Sequence, residues 1–202
     1  MLRLITLFIT LLCHSTGTFA NGGTILVYGD SISAAYGMNQ EQGWVSLLSE
    51  RLNTEHPGYR VVNASVSGET TGGGLTRLPK SLSLHQPDVL VLELGGNDGL
   101  RGYPIDKIRG NLDAMIQQSK EAGTRVLLIG MVLPPNYGRR YITAFEQIFT
   151  DLANLHQVPF VPFLLNGVAT TRDLVQRDGI HPTVDAQPMI LEDVYPVLES
   201  LL

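Results

Sequence analysis

A single three-layer α/β/α domain of flavodoxin-like type, a five-stranded parallel sheet with helices on both faces, is the fold class this sequence predicts. Short apolar, β-rich runs alternate with helical stripes along the chain, which calls for parallel strands joined by helical crossovers. The run Val89 to Leu94 (VLVLEL) is apolar at every position except Glu93, as expected of a strand covered on both faces. No linker or internal repeat divides the 202 residues, a length suited to one domain.

The elements follow in order. Residues 1–20 begin with a basic Arg3, continue through the apolar Leu4 to Leu12, and end in Thr18-Phe19-Ala20, with small residues flanking Phe19. This pattern predicts a secretory signal peptide cut after Ala20, because the apolar run is too short to span a bilayer. Cys13 falls inside it, so the exported domain, residues 21–202, would hold together without disulfides. Thr24 to Tyr28 reads as the first strand. Trp44, Leu47, Leu48 and Leu52 form a helical stripe closed by His56-Pro57-Gly58. Tyr59 to Ala64 reads as the second strand. A short helix with Leu75, Leu78 and Leu82 is expected after the glycine-rich Thr71 to Gly74.

After the third strand, Ile105, Ile108, Leu112, Met115 and Ile116 mark an amphipathic helix, with Pro104 near its first turn. Val126 to Ile129 is the fourth strand. Tyr141, Phe145, Ile148, Phe149, Leu152 and Leu155 form the next stripe. Pro159 to Phe163 is a weaker fifth strand whose prolines place it at an edge. Val184 to Leu202 reads as mainly helical, kinked or shortened by Pro196.

The charge of −5, or −6 without Arg3, and the lack of a basic run argue against a nucleic-acid groove or a polybasic membrane patch. No Cys/His cluster or His-Glu-x-x-His suggests a metal, and Gly72-Gly73-Gly74 lacks the ending of a phosphate-binding loop. Without a Gly-x-Ser-x-Gly elbow, the usual α/β-hydrolase arrangement is disfavoured.

Chemistry concentrates just past the strand ends, which gather in one crevice in an open parallel sheet. Gly29-Asp30-Ser31 follows the first strand; a Ser or Asp there is a turn or cap residue, or else a nucleophile. Asn97, in Gly95-Gly96-Asn97-Asp98-Gly99, is a turn residue or an amide donor to an oxyanion. Gly68 and Ser31 would add backbone N–H groups. Asp178 lies three residues before His181, a spacing that in one helical turn lets a carboxylate hold the imidazole. His56, His85 and His156 read as surface residues. A hydroxyl, a base, a carboxylate and amide donors together are the parts of acyl transfer.

The order Ser31, Gly68, Asn97, Asp178-x-x-His181 resembles the SGNH (GDSL-type) hydrolase family over the length of the domain. GDSISAAYGM, GGNDGLRG and DGIHPTVDAQPM are similar to the bacterial thioesterase/lysophospholipase-type acyl hydrolases within it. The resemblance implies a Ser31–His181–Asp178 triad, with Ser31, Gly68 and Asn97 as the oxyanion hole, cleaving esters and thioesters of acyl chains, lysophospholipids included. It also implies a mobile loop from Gly99 to Pro104 lining the acyl site. Leu100, Tyr103, Pro134 and Tyr137 are the expected acyl-binding residues. No cofactor is called for, and a monomer without a stable membrane anchor, periplasmic or secreted, is expected. Two alternatives remain: a carbohydrate O-deacetylase of the same family, and a non-catalytic flavodoxin-like module that binds a flavin or nucleotide.

Overall fold

The computed structural model describes residues 22–202, so the expected signal peptide and Cys13 lie outside the described residues. Five parallel strands form one sheet: β1 (Gly23–Gly29), β2 (Tyr59–Asn63), β3 (Val89–Glu93), β4 (Arg125–Ile129) and β5 (Phe160–Val161). Their order is β2-β1-β3-β4-β5. The chain steps from β1 outward to β2, then returns to place β3 on the other side of β1. The sheet therefore changes its direction of winding between β1 and β3, where Gly29 pairs with Glu93 at the strand ends.

Alternation along the central strands divides the core into two layers. Ile25 and Val27 face a cluster with Trp44, Leu48, Leu52, Ile190 and Val194. Those residues come from α1 (Trp44–Glu55) and α6 (Gln187–Glu199). Leu26 and Tyr28 face the other cluster, with Leu78, Leu112, Met115, Phe145 and Phe149. This layer is built by α2 (Thr71–His85), α4 (Ile105–Glu121) and α5 (Arg139–His156). The two helices of the first layer are also joined by a polar tie. The N–H of Trp44, unpaired within its own helix, donates to the buried Gln187 Oε1 at 2.9 Å.

Several details depart from expectation. α2 starts at Thr71 and absorbs the glycines instead of following them, because the Thr70 side chain caps Gly73 N–H at 3.2 Å. A Cβ on Gly74 would stand 2.4 Å from Leu94, so glycine permits this close approach of helix to strand. Gly96–Leu100 forms a short helix, α3, so Gly99 and Leu100 belong to a helix and not to the expected loop. β5 has only two residues, although it does occupy the edge. Pro196 lies inside α6, which runs on to Glu199. Leu155 is 69% exposed, and Ala153 takes the buried place near the end of that stripe. His156 is not a surface residue: its side chain is 10% exposed and meets Asp113 of α4 at 2.5 Å.

The central strand sets a stability expectation. Leu90 is fully buried between the layers, so Leu90→Ala should destabilise the fold by about 2–5 kcal/mol. Urea unfolding measures it; a loss below about 1 kcal/mol would mean the site collapses around the smaller side chain.

Candidate active site

β1 ends in a tight turn over residues 31–37 that carries Ser31. Ala34 N–H donates to Asp30 O at 3.0 Å and Tyr36 N–H to Ser31 O at 3.0 Å, which closes the turn. On the far side of the sequence, residues 174–183 fold back on themselves. An isolated antiparallel bridge joins Val175 to Pro182, Gln176 N–H donates to His181 O at 2.7 Å, and Thr183 N–H to Leu174 O at 2.8 Å.

This fold-back delivers His181 to Ser31: His181 Nε2 lies 2.8 Å from Ser31 Oγ, and Nδ1 lies 2.7 Å from Asp178 Oδ2. The Asp178–His181 pair is not on a helical turn, as its spacing suggested. Asp178 Oδ1 accepts the N–H groups of Ile180 and His181 at 2.9 and 3.0 Å, and Gly179 takes a φ of +74° between them. Burial alone would raise the Asp178 carboxyl, but the Ile180 N–H and the two His181 donors outweigh it and hold the group below its ordinary range. The ring of Tyr36 rests against His181, with centroids 4.3 Å apart.

Gln176 fastens the two loops together, its Nε2 donating to Tyr36 O at 2.8 Å and Pro182 O at 2.9 Å. The sequence reading gave Gln176 no role. The one available signal is Gly37, whose φ of +79° and closeness to Gln176 leave no room for a side chain.

Asn97 stands in the first turn of α3, where its Nδ2 donates to Asp30 Oδ2 at 3.0 Å. Asp30 was read only as a turn or cap residue. It is 3% exposed, accepts Ile32 N–H through Oδ1 at 3.1 Å, and is pushed up to about 6, chiefly by desolvation. Asp98, beside Asn97, accepts Thr71 N–H at 2.8 Å and Thr71 Oγ1–H at 2.6 Å, tying α3 to the start of α2.

Gly68 sits on the segment that leaves β2. Val66 N–H donates to Gly29 O at 3.0 Å, which lays this segment along the end of β1. Gly68 is exposed, has a φ of +79°, and accepts Arg101 Nη2 at 3.3 Å. Positive φ is the condition under which glycine is preferred.

A cleft of about 340 Å³ borders the site, lined by Ile32, Leu100, Met131, Leu133, Pro134, Phe163 and Ile180 among others. Leu100 and Pro134 were expected there. Tyr103 and Tyr137 are not among its lining residues. The Tyr137 hydroxyl turns instead to Leu100 O at 2.8 Å, and Tyr103 O accepts the Tyr141 hydroxyl at 2.7 Å. The sequence reading overlooked Phe163 and Leu164, although they follow β5 at the same sheet edge. A larger depression with a more polar lining lies elsewhere, between Pro79, Asp88, Gln118 and Thr124, and holds no nucleophile–base pair.

The model of the GDSL-like Lipase/Acylhydrolase family matches residues 27–187. Esterase TesA of Pseudomonas aeruginosa is 51% identical over 179 residues, covering 89% of each chain. Thioesterase 1/protease 1/lysophospholipase L1 of Escherichia coli is 42% identical over 196 residues, covering 97% of this chain and 91% of that one. Among solved structures, the psychrotrophic esterase EstA from Pseudoalteromonas sp., inhibited by monoethylphosphonate, superposes with a TM-score of 0.84 at 41% identity, covering 88% of this chain and 97% of its own. The match through both the Ser31 turn and the Asp178–His181 fold-back, together with these full-length similarities, places the chain in the GDSL-like lipase/acylhydrolase family.

Proposed function

We propose that Ser31, His181 and Asp178 are the catalytic triad of a serine hydrolase that cleaves esters and thioesters of acyl chains. The observation that carries this reading is the unbroken line from Asp178 Oδ2 through His181 to Ser31 Oγ, with contacts of 2.7 and 2.8 Å. The full-length similarity to proteins named esterase and thioesterase supports the substrate class.

Ser31 Oγ attacks the acyl carbonyl carbon while His181 Nε2 takes its proton. Asp178 keeps the Nδ1 proton in place, so Nε2 is free to accept, and its charge steadies the imidazolium. The carbonyl oxygen gains negative charge and is met by the N–H groups of Ser31 and Gly68 and by the Asn97 amide. Collapse of the tetrahedral intermediate expels the alcohol or thiol, which receives the proton from His181. Water then attacks the acyl-enzyme with His181 again as base, and the free acid leaves.

Asp30 acts through Asn97. By accepting one Nδ2 hydrogen, its carboxylate sets the orientation of the amide and leaves the other hydrogen for the oxyanion. The apolar cleft receives the acyl chain, with Leu100 and Pro134 as walls. Tyr137 supports Leu100 through its carbonyl, and Tyr103 lies on the adjoining segment. A cleft of this size and lining favours extended acyl groups over acetyl, which argues against the deacetylase alternative. Residues 1–20 serve as a cleaved export signal, so the mature enzyme works in the periplasm or outside the cell, as a monomer, on small acyl esters including lysophospholipids. Among the described residues no helix is long and apolar enough to cross a membrane.

Three outcomes test this reading. Ser31→Ala should remain folded and lose activity by up to ~10⁶ in kcat. Mass spectrometry after a fluorophosphonate should place the label on Ser31; a label elsewhere, or an active alanine variant, overturns the triad. Leu100→Asp should lower kcat/KM for long-chain nitrophenyl esters while sparing acetate, each buried methylene adding about 0.8 kcal/mol at most. An equal loss across chain lengths would remove Leu100 from the acyl site.

Asp30 gives the third outcome. Its folded-state carboxyl is raised from 3.8 to about 6, so the fold binds this proton more tightly than the unfolded chain does. Stability from this group is present at low pH and declines as pH rises from about 4 to about 6. Asp30→Asn should therefore raise Tm at pH 8, by up to about 3 kcal/mol in stability, with little change at pH 4. The same variant should lower kcat by roughly 10–10² through the disturbed Asn97 amide. A variant less stable at pH 8 but fully active would contradict both statements.

A further inference from the structure

Glu93 ends β3 and is the single ionisable residue in a strand otherwise made of Val and Leu. It is fully buried. A carboxyl at such a place is costly unless its polar atoms are paired. Only one oxygen is: Oε2 accepts the Asp30 N–H at 3.1 Å and the Ser33 hydroxyl at 2.7 Å. Oε1 is buried without a hydrogen-bond partner. The neighbouring strand leaves space for the group, since a Cβ on Gly29 would stand 2.2 Å from Oε2. Desolvation, followed by the nearby Asp30 carboxyl, holds Glu93 well above the ordinary carboxylate range. Burial thus disfavours the charged form of this carboxyl. A leucine would suit the surrounding core better, so packing gives no reason for an acid here.

The two groups that Glu93 receives bracket Ser31 in sequence. Asp30 precedes it, and Ser33 lies two residues beyond. Ser33 is itself 1% exposed and its carbonyl accepts Asn63 Nδ2 at 2.7 Å. The turn is therefore pinned from the inside of the sheet, while His181 meets Ser31 from the open side.

We propose that Glu93 is a positioning residue for the nucleophile: its Oε2 holds the chain on both sides of Ser31 and thereby keeps Oγ at hydrogen-bond distance from His181. The inference rests on the reading of Ser31 as nucleophile. It differs from a packing role, because what matters is an acceptor at one point and neither volume nor charge. Glutamine can supply that acceptor through its amide oxygen; leucine cannot.

The test compares Glu93→Gln and Glu93→Leu in the full-length protein, with Ser31→Ala as control, by kcat and KM on a nitrophenyl ester and by the rate of fluorophosphonate labelling. Glu93→Gln should keep kcat within about threefold, since the acceptor survives. Glu93→Leu should lower kcat and the labelling rate by ~10², the effect of a shift of about 1 Å in a reacting group, with KM little changed. Ser33→Ala, which leaves the strand intact, should lower kcat by roughly tenfold at unchanged KM, and it decides the matter if Glu93→Leu does not fold. Unchanged kcat in a folded Glu93→Leu, unchanged kcat in Ser33→Ala, or equal losses for glutamine and leucine would each overturn the proposal. If wild-type Ser31 labels normally and these variants label at the wild-type rate, the positioning role alone fails. If the label is not on Ser31, the triad reading fails first.

Discussion

The site depends on the reversal of winding between β1 and β3. Helices that follow these two strands leave to opposite sides of the sheet, so nothing covers the gap between their carboxyl ends. Gly29 and Glu93 face each other across that gap. Into it the chain delivers the Ser31 turn from β1 and Asn97 from β3, and the β2 and β5 ends supply the Gly68 segment and part of the cleft wall. A parallel sheet makes this convergence unavoidable: every strand ends at the same edge, and residues distant in sequence become neighbours there.

Polar groups in this gap are held at some cost to the fold. Asp30 and Glu93 are both buried and desolvated, and the Asp30 carboxyl pushes Glu93 up further. Apolar residues at both positions would relieve that cost but abandon the Asn97 amide and the Ser33 hydroxyl. The site thus resembles other strained functional regions, in which stability is given up for fixed geometry. Asp178 has a different environment. Asp178 is more exposed and meets three donors, so its charge is retained close to water.

The cleft joins this polar centre to an apolar surface. Its wall is drawn from Ile32 beside Ser31, Leu100 on α3, Met131 to Pro134 after β4, and Phe163 to Leu165 after β5. Each segment continues a buried strand or packs on the same core, so the cleft is an extension of the hydrophobic interior toward Ser31. Tyr137, expected to touch substrate directly, braces the wall by a hydrogen bond to the Leu100 carbonyl, and Tyr141 of the α5 stripe ties down the adjoining segment through the Tyr103 carbonyl.

Much of this was open to reading in the amino-acid sequence. Strands buried on both faces must be apolar throughout, which exposed β1, β3 and β4; amphipathic stripes exposed α4 and α5 for the same physical reason. Ser31 and Asn97 stood out because each combines a reactive side chain with glycine just past a strand, and the Asp178–His181 pair because a carboxylate stands three residues before a histidine, with glycine and proline beside them. Other features were set by contacts far apart in the chain. The start of α2 depends on the Thr70 cap and on Asp98 holding Thr71, and Leu155 fell outside the core its spacing implied. Burial of Asp30 and the double acceptor role of Glu93 arise only when β1 and β3 pair. Local composition determined which segments could be strands, helices and reactive turns; tertiary structure decided which side chains met, because hydrogen bonds and desolvation act across space and leave little trace along the chain.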